Sequence, residues 1–126
     1  MDNIEILKGE TIVKIDGLTQ YSERVVFTLQ NGKSYVMYHS QDCCESVEVE
    51  DVIGDIDDLI GSPLLEAESV ESNENPEGVT KEYQDSFTWT FYKLGTIKGH
   101  VTIRWYGESN GYYSESVTFC ELGNEW

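Results

Sequence analysis

The chain has 126 residues, of which 24 are acidic and 8 are basic, so its formal net charge is −16 at pH 7. This charge argues against bare nucleic acid and anionic membranes as partners and favours basic protein surfaces. Aromatic residues make up 12% of the chain, which excludes a disordered acidic tail, and the length predicts a single domain, 1–126.

The composition also bears on the cellular compartment. No apolar run approaches the roughly 18 residues of a membrane span. The first ten residues, MDNIEILKGE, lack the basic and apolar regions of a signal peptide. Three cysteines are an odd number, which argues against a disulfide framework and for a reducing environment. The sequence therefore predicts a cytoplasmic protein that binds neither membrane nor nucleic acid directly.

The first clear structural signal is a hairpin. Two β-branched and aromatic runs, RVVFTL and KSYVMYH, are separated by Gln30-Asn31-Gly32. Asn-Gly between two such runs favours a type I′ turn, because both residues tolerate positive φ. We therefore predict two antiparallel strands between residues 24 and 39.

The acidic residues are concentrated in one part of the chain. Residues 34–80 contain 13 carboxylates and no Lys or Arg, whereas the acidic and basic residues of the remainder are nearly balanced. Within this block, residues 46–52 (SVEVEDV) alternate between apolar and acidic side chains. The alternation predicts a strand with Glu48 and Glu50 on its solvent face, about 7 Å apart.

A short helix is predicted directly after this strand, near 55–60. Asp55 is suited to the N-cap, Asp57 and Asp58 would lie in the first turn, and Gly61 would end a helix of about two turns. Strand and helix together predict one acidic, partner-binding face. Its members are Glu45, Glu48, Glu50, Asp51, Asp55, Asp57 and Asp58.

The last third of the chain is the most strand-like part. SFTWTFYKL and HVTIRWYG alternate between large apolar and polar residues, and Asn110-Gly111 leads into YYSESVTFCEL. This pattern predicts an antiparallel meander of three consecutive strands. The predicted core residues are Phe87, Trp89, Phe91, Val101, Ile103, Trp105, Val117 and Phe119. The fold class is thus mainly β, α+β at most: a single antiparallel twisted sheet or a small sandwich of six to eight strands with one short helix.

Two blocks carry a resemblance to a known family. YHSQDCCESVEVEDVIGDIDDLIGSPLLEAE and SFTWTFYKLGTIKGHVTIRWYGESNGYYSESV resemble a family of small acidic proteins of unknown function from tailed bacteriophages and prophages. The resemblance covers roughly half of the chain. It implies a phage gene product that acts in the bacterial host cytoplasm, and it transfers no catalytic residue.

Candidate chemistry is sparse. His39, Cys43 and Cys44 cluster in the sequence, but adjacent cysteines lack zinc-site spacing. A strand end with one buried cysteine is therefore favoured over a metal site. The segment DIDDLIG fails the calcium-loop pattern, because Leu59 and Ile60 occupy a ligand and the glycine position. Glycine-rich phosphate loops, GxSxG and HExxH are absent from the sequence. We expect no metal, no cofactor and no enzymatic activity.

Three functional hypotheses follow. The first is a phage-encoded inhibitor, acting in anti-defence or host takeover, that mimics nucleic acid and binds the basic surface of a bacterial nucleic-acid-handling protein. DNA presents about one charge per 1.7 Å of duplex axis, and an acidic face could occupy the same protein cleft as DNA.

The second hypothesis is a protein that sequesters a nucleotide signal by stacking and charge pairing. Its ligand-binding residues would be Arg104, Trp105, Tyr106, Tyr112 and Tyr113. In the third, the charge only solubilises a phage accessory protein with no inhibitory role.

Overall fold

Eight strands form two four-stranded sheets in the computed structural model, which describes residues 3–80, 84 and 86–124. The strands are β1 (Ile12–Asp16), β2 (Arg24–Leu29), β3 (Ser34–Tyr38), β4 (Ser46–Ile53), β5 (Glu66–Ser72), β6 (Ser86–Thr96), β7 (Gly99–Ser109) and β8 (Thr118–Glu121). The first sheet has the order β1-β2-β3-β8 and the second the order β4-β7-β6-β5, with antiparallel neighbours throughout. The predicted mainly β, antiparallel fold class is confirmed.

The two sheets enclose one shared core, so the small sandwich is the correct one of the two predicted architectures. Strand alternation explains which side chains enter it. On β2, Val25, Phe27 and Leu29 point inward, and on β4 Val47 and Val49 do the same. Burial of one such side chain contributes about 1.5–3 kcal/mol, so this inward set dominates the stability of the fold.

The hairpin between β2 and β3 forms where the sequence predicts it, but its turn differs from type I′. Gly32 has a φ of +92°, whereas Asn31 is not among the residues with positive φ. The Gly32 amide donates to the Leu29 carbonyl at 3.0 Å, and the Leu29 amide donates to the Lys33 carbonyl at 2.8 Å. A turn with positive φ only at its closing glycine is typical of a longer hairpin loop with a bulge. The Asn31 side chain accepts from the Lys33 amide at 2.9 Å and stabilises this loop.

The inward face of β6 is the opposite of the predicted one. Tyr92 and Leu94 belong to the core, whereas Phe87, Trp89 and Phe91 point away from it. Tyr92 lies directly opposite Ile103 of β7, and residues directly opposite each other share a face. The predicted core is correct for Val101, Ile103, Trp105, Val117 and Phe119 and wrong for Phe87 and Phe91. Trp89 is fully buried, as predicted, but outside the cluster between the sheets.

The predicted three-stranded meander is also wrong, because β8 joins the other sheet. Its Phe119 lies opposite Met37 of β3 and stacks on Tyr35 at 5.4 Å between ring centroids. The remaining edge of β7 is occupied by β4 instead. The segment between β7 and β8 passes close to Gly107, where a Cβ would lie 2.6 Å from the backbone oxygen of Glu115. Only glycine leaves room for this crossing.

The predicted helix near 55–60 is a 3₁₀ helix of four residues, Ile56–Leu59, rather than a helix of two turns. Asp55 is its N-cap, as predicted, and its side chain accepts from the Asp57 amide at 3.0 Å. Leu59 is fully buried, which anchors the helix to the core. A second 3₁₀ helix, Ile4–Leu7, precedes β1.

Candidate interaction face

The surface of the second sheet that points away from the core carries three of the seven predicted acidic residues, Glu48, Glu50 and Asp51. The strand register defines its members, because directly opposite residues share a face. We call this surface the outer face. It consists of Glu48, Glu50 and Asp51 on β4, Arg104, Tyr106 and Glu108 on β7, Phe87, Trp89, Phe91 and Lys93 on β6, and Glu66, Glu68, Val70 and Ser72 on β5.

One edge of the outer face is the acidic strand predicted from the sequence. A register shift between Val49 and Asp51 marks a bulge in β4. The bulge brings consecutive carboxylates to one cation: Arg104 Nε lies 2.5 Å from Glu50 Oε2, and Arg104 Nη2 lies 3.8 Å from Asp51 Oδ2. Glu48 lies opposite Tyr106 and is partly exposed. The edge is therefore acidic, but Arg104 offsets part of its charge.

The opposite edge is a second acidic row, whose residues are not members of the predicted site. Glu66 and Glu68 alternate with Ala67 along β5, and Ala67 is buried in the core. His100 Nε2 lies 3.1 Å from Glu66 Oε2, and Glu68 lies opposite Lys93. Three inter-strand spacings, about 14 Å, separate β4 from β5. The alternation of Glu66, Ala67 and Glu68 is the signal that could have identified this row.

The three predicted aspartates of the short helix form a separate group. The helix packs on β6 and β7. Asp55 and Asp57 are exposed, whereas Asp58 is partly covered and its carbonyl accepts from the Thr96 hydroxyl. Lys98, in the turn between β6 and β7, donates to the Ile60 carbonyl. These carboxylates therefore lie at the β6–β7 turn instead of continuing the row on β4.

Glu45 is buried and does not lie on the predicted acidic face. Its side chain is fully buried, and its carboxylate accepts from the Cys43 amide at 2.9 Å, the Asp42 amide at 3.1 Å and Gln41 at 3.0 Å. Burial alone would raise its pKa, but hydrogen bonds from His39 and these amides outweigh burial and lower the pKa of Glu45 to about 2. Glu45 therefore holds the loop before β4 together.

His39 is the buried partner of that carboxylate. Its Nε2 lies 2.9 Å from Glu45 Oε2 and its Nδ1 lies 2.7 Å from the Ser116 carbonyl oxygen. The two ring nitrogens thus face a carboxylate oxygen and a backbone carbonyl oxygen. Because both ring nitrogens are engaged, His39 connects the loop before β4 to the segment before β8.

The cysteines differ from the expectation of one buried residue in this loop. Cys43 and Cys44 are joined by a disulfide between neighbouring residues, and both are exposed. The buried cysteine is Cys120 on β8, outside the disulfide. In the part of the chain that the structure describes, no group of three or more His, Cys, Asp or Glu side chains is placed to hold a metal ion.

The centre of the outer face is aromatic. Trp89 is fully buried there, with the Arg104 guanidinium 5.3 Å from its ring centroid and the Tyr106 ring 4.5 Å away. Its indole N–H donates to the Asn75 side chain at 3.1 Å, and Asn75 exchanges two hydrogen bonds with Gln84. A polar loop therefore covers this tryptophan and removes it from solvent.

The Tyr106 hydroxyl is fixed by the same network. It donates to Glu108 at 2.8 Å and accepts from Gln84 at 2.7 Å. Burial raises the pKa of Tyr106 to about 12, and Glu108 and Glu115 add to the shift. Tyr106 is thus a positioned hydroxyl within a covered cluster.

The alternative ligand-binding residues are not brought together. Trp105 is fully buried on the core side of β7, so it faces away from Arg104 and Tyr106. Tyr112 is 84% exposed in the loop after β7, where its ring packs edge-on against Tyr113. Arg104 is engaged by two carboxylates and an indole. A single nucleotide-stacking site built from these five residues is therefore absent.

None of the helices among the described residues has the length and apolar character needed to cross a membrane. These observations define a two-sheet antiparallel β protein whose second sheet presents acidic edges around an aromatic centre. A family model matches residues 5–119, and the chain belongs to that family, a domain of unknown function (DUF7448). The match runs from the N-terminal 3₁₀ helix into β8 and so includes both sheets. No curated protein and no solved structure matches the chain.

Proposed function

We propose that this protein is a non-enzymatic inhibitor that binds the basic, nucleic-acid-binding cleft of a bacterial protein through its outer face. The observation that carries the proposal is the charge of −16 together with the absence of Lys and Arg between residues 34 and 80. The resemblance of the chain to phage and prophage proteins supplies the context, an anti-defence or host-takeover role in the bacterial cytoplasm.

The spacing of the carboxylates supports nucleic-acid mimicry. On β5, Glu66 and Glu68 are i and i+2 residues about 7 Å apart, whereas the bulge at Glu50 interrupts this spacing on β4, and the two rows lie about 14 Å apart. In a DNA duplex, successive charges on one strand advance about 3.4 Å along the axis, and the major groove between the backbones is about 12 Å wide. Two acidic rows on a rigid sheet are therefore comparable in scale with two phosphate rows.

The members of the proposed interface follow from exposure. Glu48, Glu68, Asp55 and Asp57 are at least partly exposed and contribute directly. Glu50 and Asp51 contribute less, because Arg104 offsets their charge. Glu45 does not contribute, since it is buried.

The test is capture of partners from bacterial lysate on the tagged protein, with elution by salt steps or by added duplex DNA. We expect a basic nucleic-acid-binding protein that either treatment releases, because salt screens surface charges and DNA competes for the same cleft. The purified partner should then lose its nucleic-acid binding when this protein is added.

Matched variants locate the interface. Glu48→Gln/Glu68→Gln removes one charge from each edge of the outer face, whereas Asp16→Asn/Glu121→Gln removes one charge from each outermost strand of the first sheet, β1 and β8. We expect about a tenfold loss of affinity for the first variant and almost none for the second. Equal retention by both variants, or a complex that resists salt and DNA, would contradict the proposal and leave solubilisation as the role of the charge.

A further inference from the structure

A buried carboxylate lines a cavity at one end of the second sheet. The cavity has a volume of about 440 Å³, within the range of about 300–1,000 Å³ for small-molecule sites. Among the described residues, its lining comes from the loop after β5, the start of β6 and the segment between β7 and β8: Asn73, Ser86, Phe87, Thr88 and Glu115. Asn73 is exposed, so the cavity is open to solvent at this loop. Glu115 is the one charged residue of the five.

The Glu115 carboxylate is fixed by two neighbouring strands. Thr88 of β6 lies directly opposite Gly107 of β7, and Ser109 follows two residues later on the same face. Gly107 leaves room for the Glu115 side chain, because an added Cβ would lie 3.1 Å from the Glu115 Cβ. Glu115 Oε1 accepts from the Thr88 hydroxyl at 2.9 Å, and Oε2 accepts from the Ser109 hydroxyl at 2.5 Å. The carboxylate therefore lies on the core side of the sheet, distinct from the acidic rows of the outer face.

This carboxylate has hydrogen bonds but no opposite charge. Glu115 is 9% exposed, and no Lys, Arg or His side chain of the described residues forms an ion pair with it. A buried carboxylate without a cation is costly, so binding of a cation is favoured. In the described part of the chain, Glu115 belongs to no group of three or more potential metal ligands, which favours an organic cation. Each carboxylate oxygen accepts about two hydrogen bonds, and one hydroxyl uses one position on each, so one acceptor position remains on both oxygens.

We propose that this cavity binds a small guanidinium compound, with two guanidinium N–H groups donating to the two oxygens of Glu115. A guanidinium fork matches two parallel acceptor positions, whereas an ammonium group acts as a point charge. Asn73 and Ser86 supply further acceptors for the remaining N–H groups. The net charge of −16 raises the local concentration of cations. The site does not depend on the proposed inhibitor function.

Three probes of similar size test the charge and the fork separately in NMR titrations of the full, isotope-labelled chain at constant ionic strength. Methylguanidinium should shift the backbone amide signals of Thr88, Gly107 and Glu115 in a saturable, one-to-one manner. Methylammonium has the same charge without the fork and should bind about three- to tenfold more weakly. Methylurea has a similar planar shape without the charge and should bind at least about tenfold more weakly. Equal affinity for methylguanidinium and methylammonium, shifts confined to the outer face, or no saturable shift at all would overturn the proposal.

Variants place the ligand in the cavity. Glu115→Gln preserves the size of the side chain and should weaken methylguanidinium binding at least about tenfold. Asn73→Ala leaves the hydrogen bonds of Glu115 intact and should weaken binding about two- to fivefold, which provides a test even if Glu115→Gln does not fold. Glu77→Gln removes an exposed charge from the same polar loop, outside the lining, and should change the affinity by less than about twofold. Unchanged affinity in Glu115→Gln, or an equal loss in Glu77→Gln, would assign the binding to the overall charge and overturn the proposal.

Discussion

The strength of the ion pair between Arg104 and Glu50 determines whether the Arg104 guanidinium stabilises the fold or is available to bind a ligand. Arg104 Nε lies 2.5 Å from Glu50 Oε2, and the two side chains are 16% and 25% exposed. If the contact stabilises the fold, the two residues must be energetically coupled. A double-mutant cycle with Arg104→Met, Glu50→Gln and the double variant measures that coupling directly.

The expected magnitude follows from the burial of the pair. Hydrogen bonds between charged groups contribute about 1.5–3 kcal/mol, whereas fully exposed ion pairs contribute only about 0.2–1 kcal/mol. Partial burial places this pair between the two limits, so we expect a coupling energy of about 1–2 kcal/mol. Arg104→Met alone should cost about 1.5–3 kcal/mol, because it also removes the contact with the Trp89 ring, worth about 0.5–1 kcal/mol.

Urea denaturation of the four proteins at low and high salt provides the measurement. A matched control is the pair Lys14–Asp16, which is 3.6 Å apart and has side chains 67% and 56% exposed. We expect its coupling to be below about 0.5 kcal/mol and to disappear in high salt. If the coupling between Arg104 and Glu50 is no larger than that of the control, the reasoning is refuted and Arg104 returns as a candidate anion ligand.

Three further predictions concern single positions. The pKa of Glu45 is lowered from 4.5 to about 2, so the ionised carboxylate stabilises the fold above about pH 5, and this stabilisation is lost as the pH falls towards 2. In thermal unfolding, Glu45→Gln should therefore be less stable than wild type at pH 7 and should approach the stability of wild type near pH 2. Gly107→Ala should lower the free energy of unfolding in urea by about 2–3 kcal/mol, because the added Cβ would lie 2.6 Å from a backbone oxygen. Gly95→Ala should lower it by less than about 1 kcal/mol, because the added Cβ would meet the exposed ring of His100, which can move. Trp89→Phe should increase hydrogen exchange in residues 72–80, because the substitution removes the indole N–H that holds this polar loop.

The parts of the fold that the sequence predicts are those fixed by local chemistry. The β2–β3 hairpin and the Asp55 cap each depend on residues within a few positions of one another. The inward face of β4 is equally local, because apolar Val47 and Val49 alternate with acidic residues. In each case one face or one turn is chemically distinct, so the pattern has a single interpretation.

The wrong predictions concern a strand whose two faces are chemically similar and residues whose partners are distant in the sequence or defined only by the folded chain. β6 has aromatic or apolar residues on both faces, and its inward face includes Thr90, so alternation alone cannot say which face is buried. The partner of β8 depends on which edge is already occupied, and β4 takes the edge of β7. Glu45 is one carboxylate among 24, and only the folded loop distinguishes it from the others.

The two-row arrangement of the acidic residues also explains how a domain with a charge of −16 remains folded. The β4 and β5 rows are about 14 Å apart, beyond the Debye length of about 8 Å at physiological ionic strength, so their mutual repulsion is screened. Beside each row a basic side chain lies on the neighbouring strand, Arg104 of β7 beside Glu50 and Lys93 of β6 opposite Glu68. The same arrangement leaves both rows acidic and accessible. We therefore expect low ionic strength, about 0.01 M, where the Debye length is about 30 Å, to reduce the stability of the fold while it strengthens binding to a basic partner.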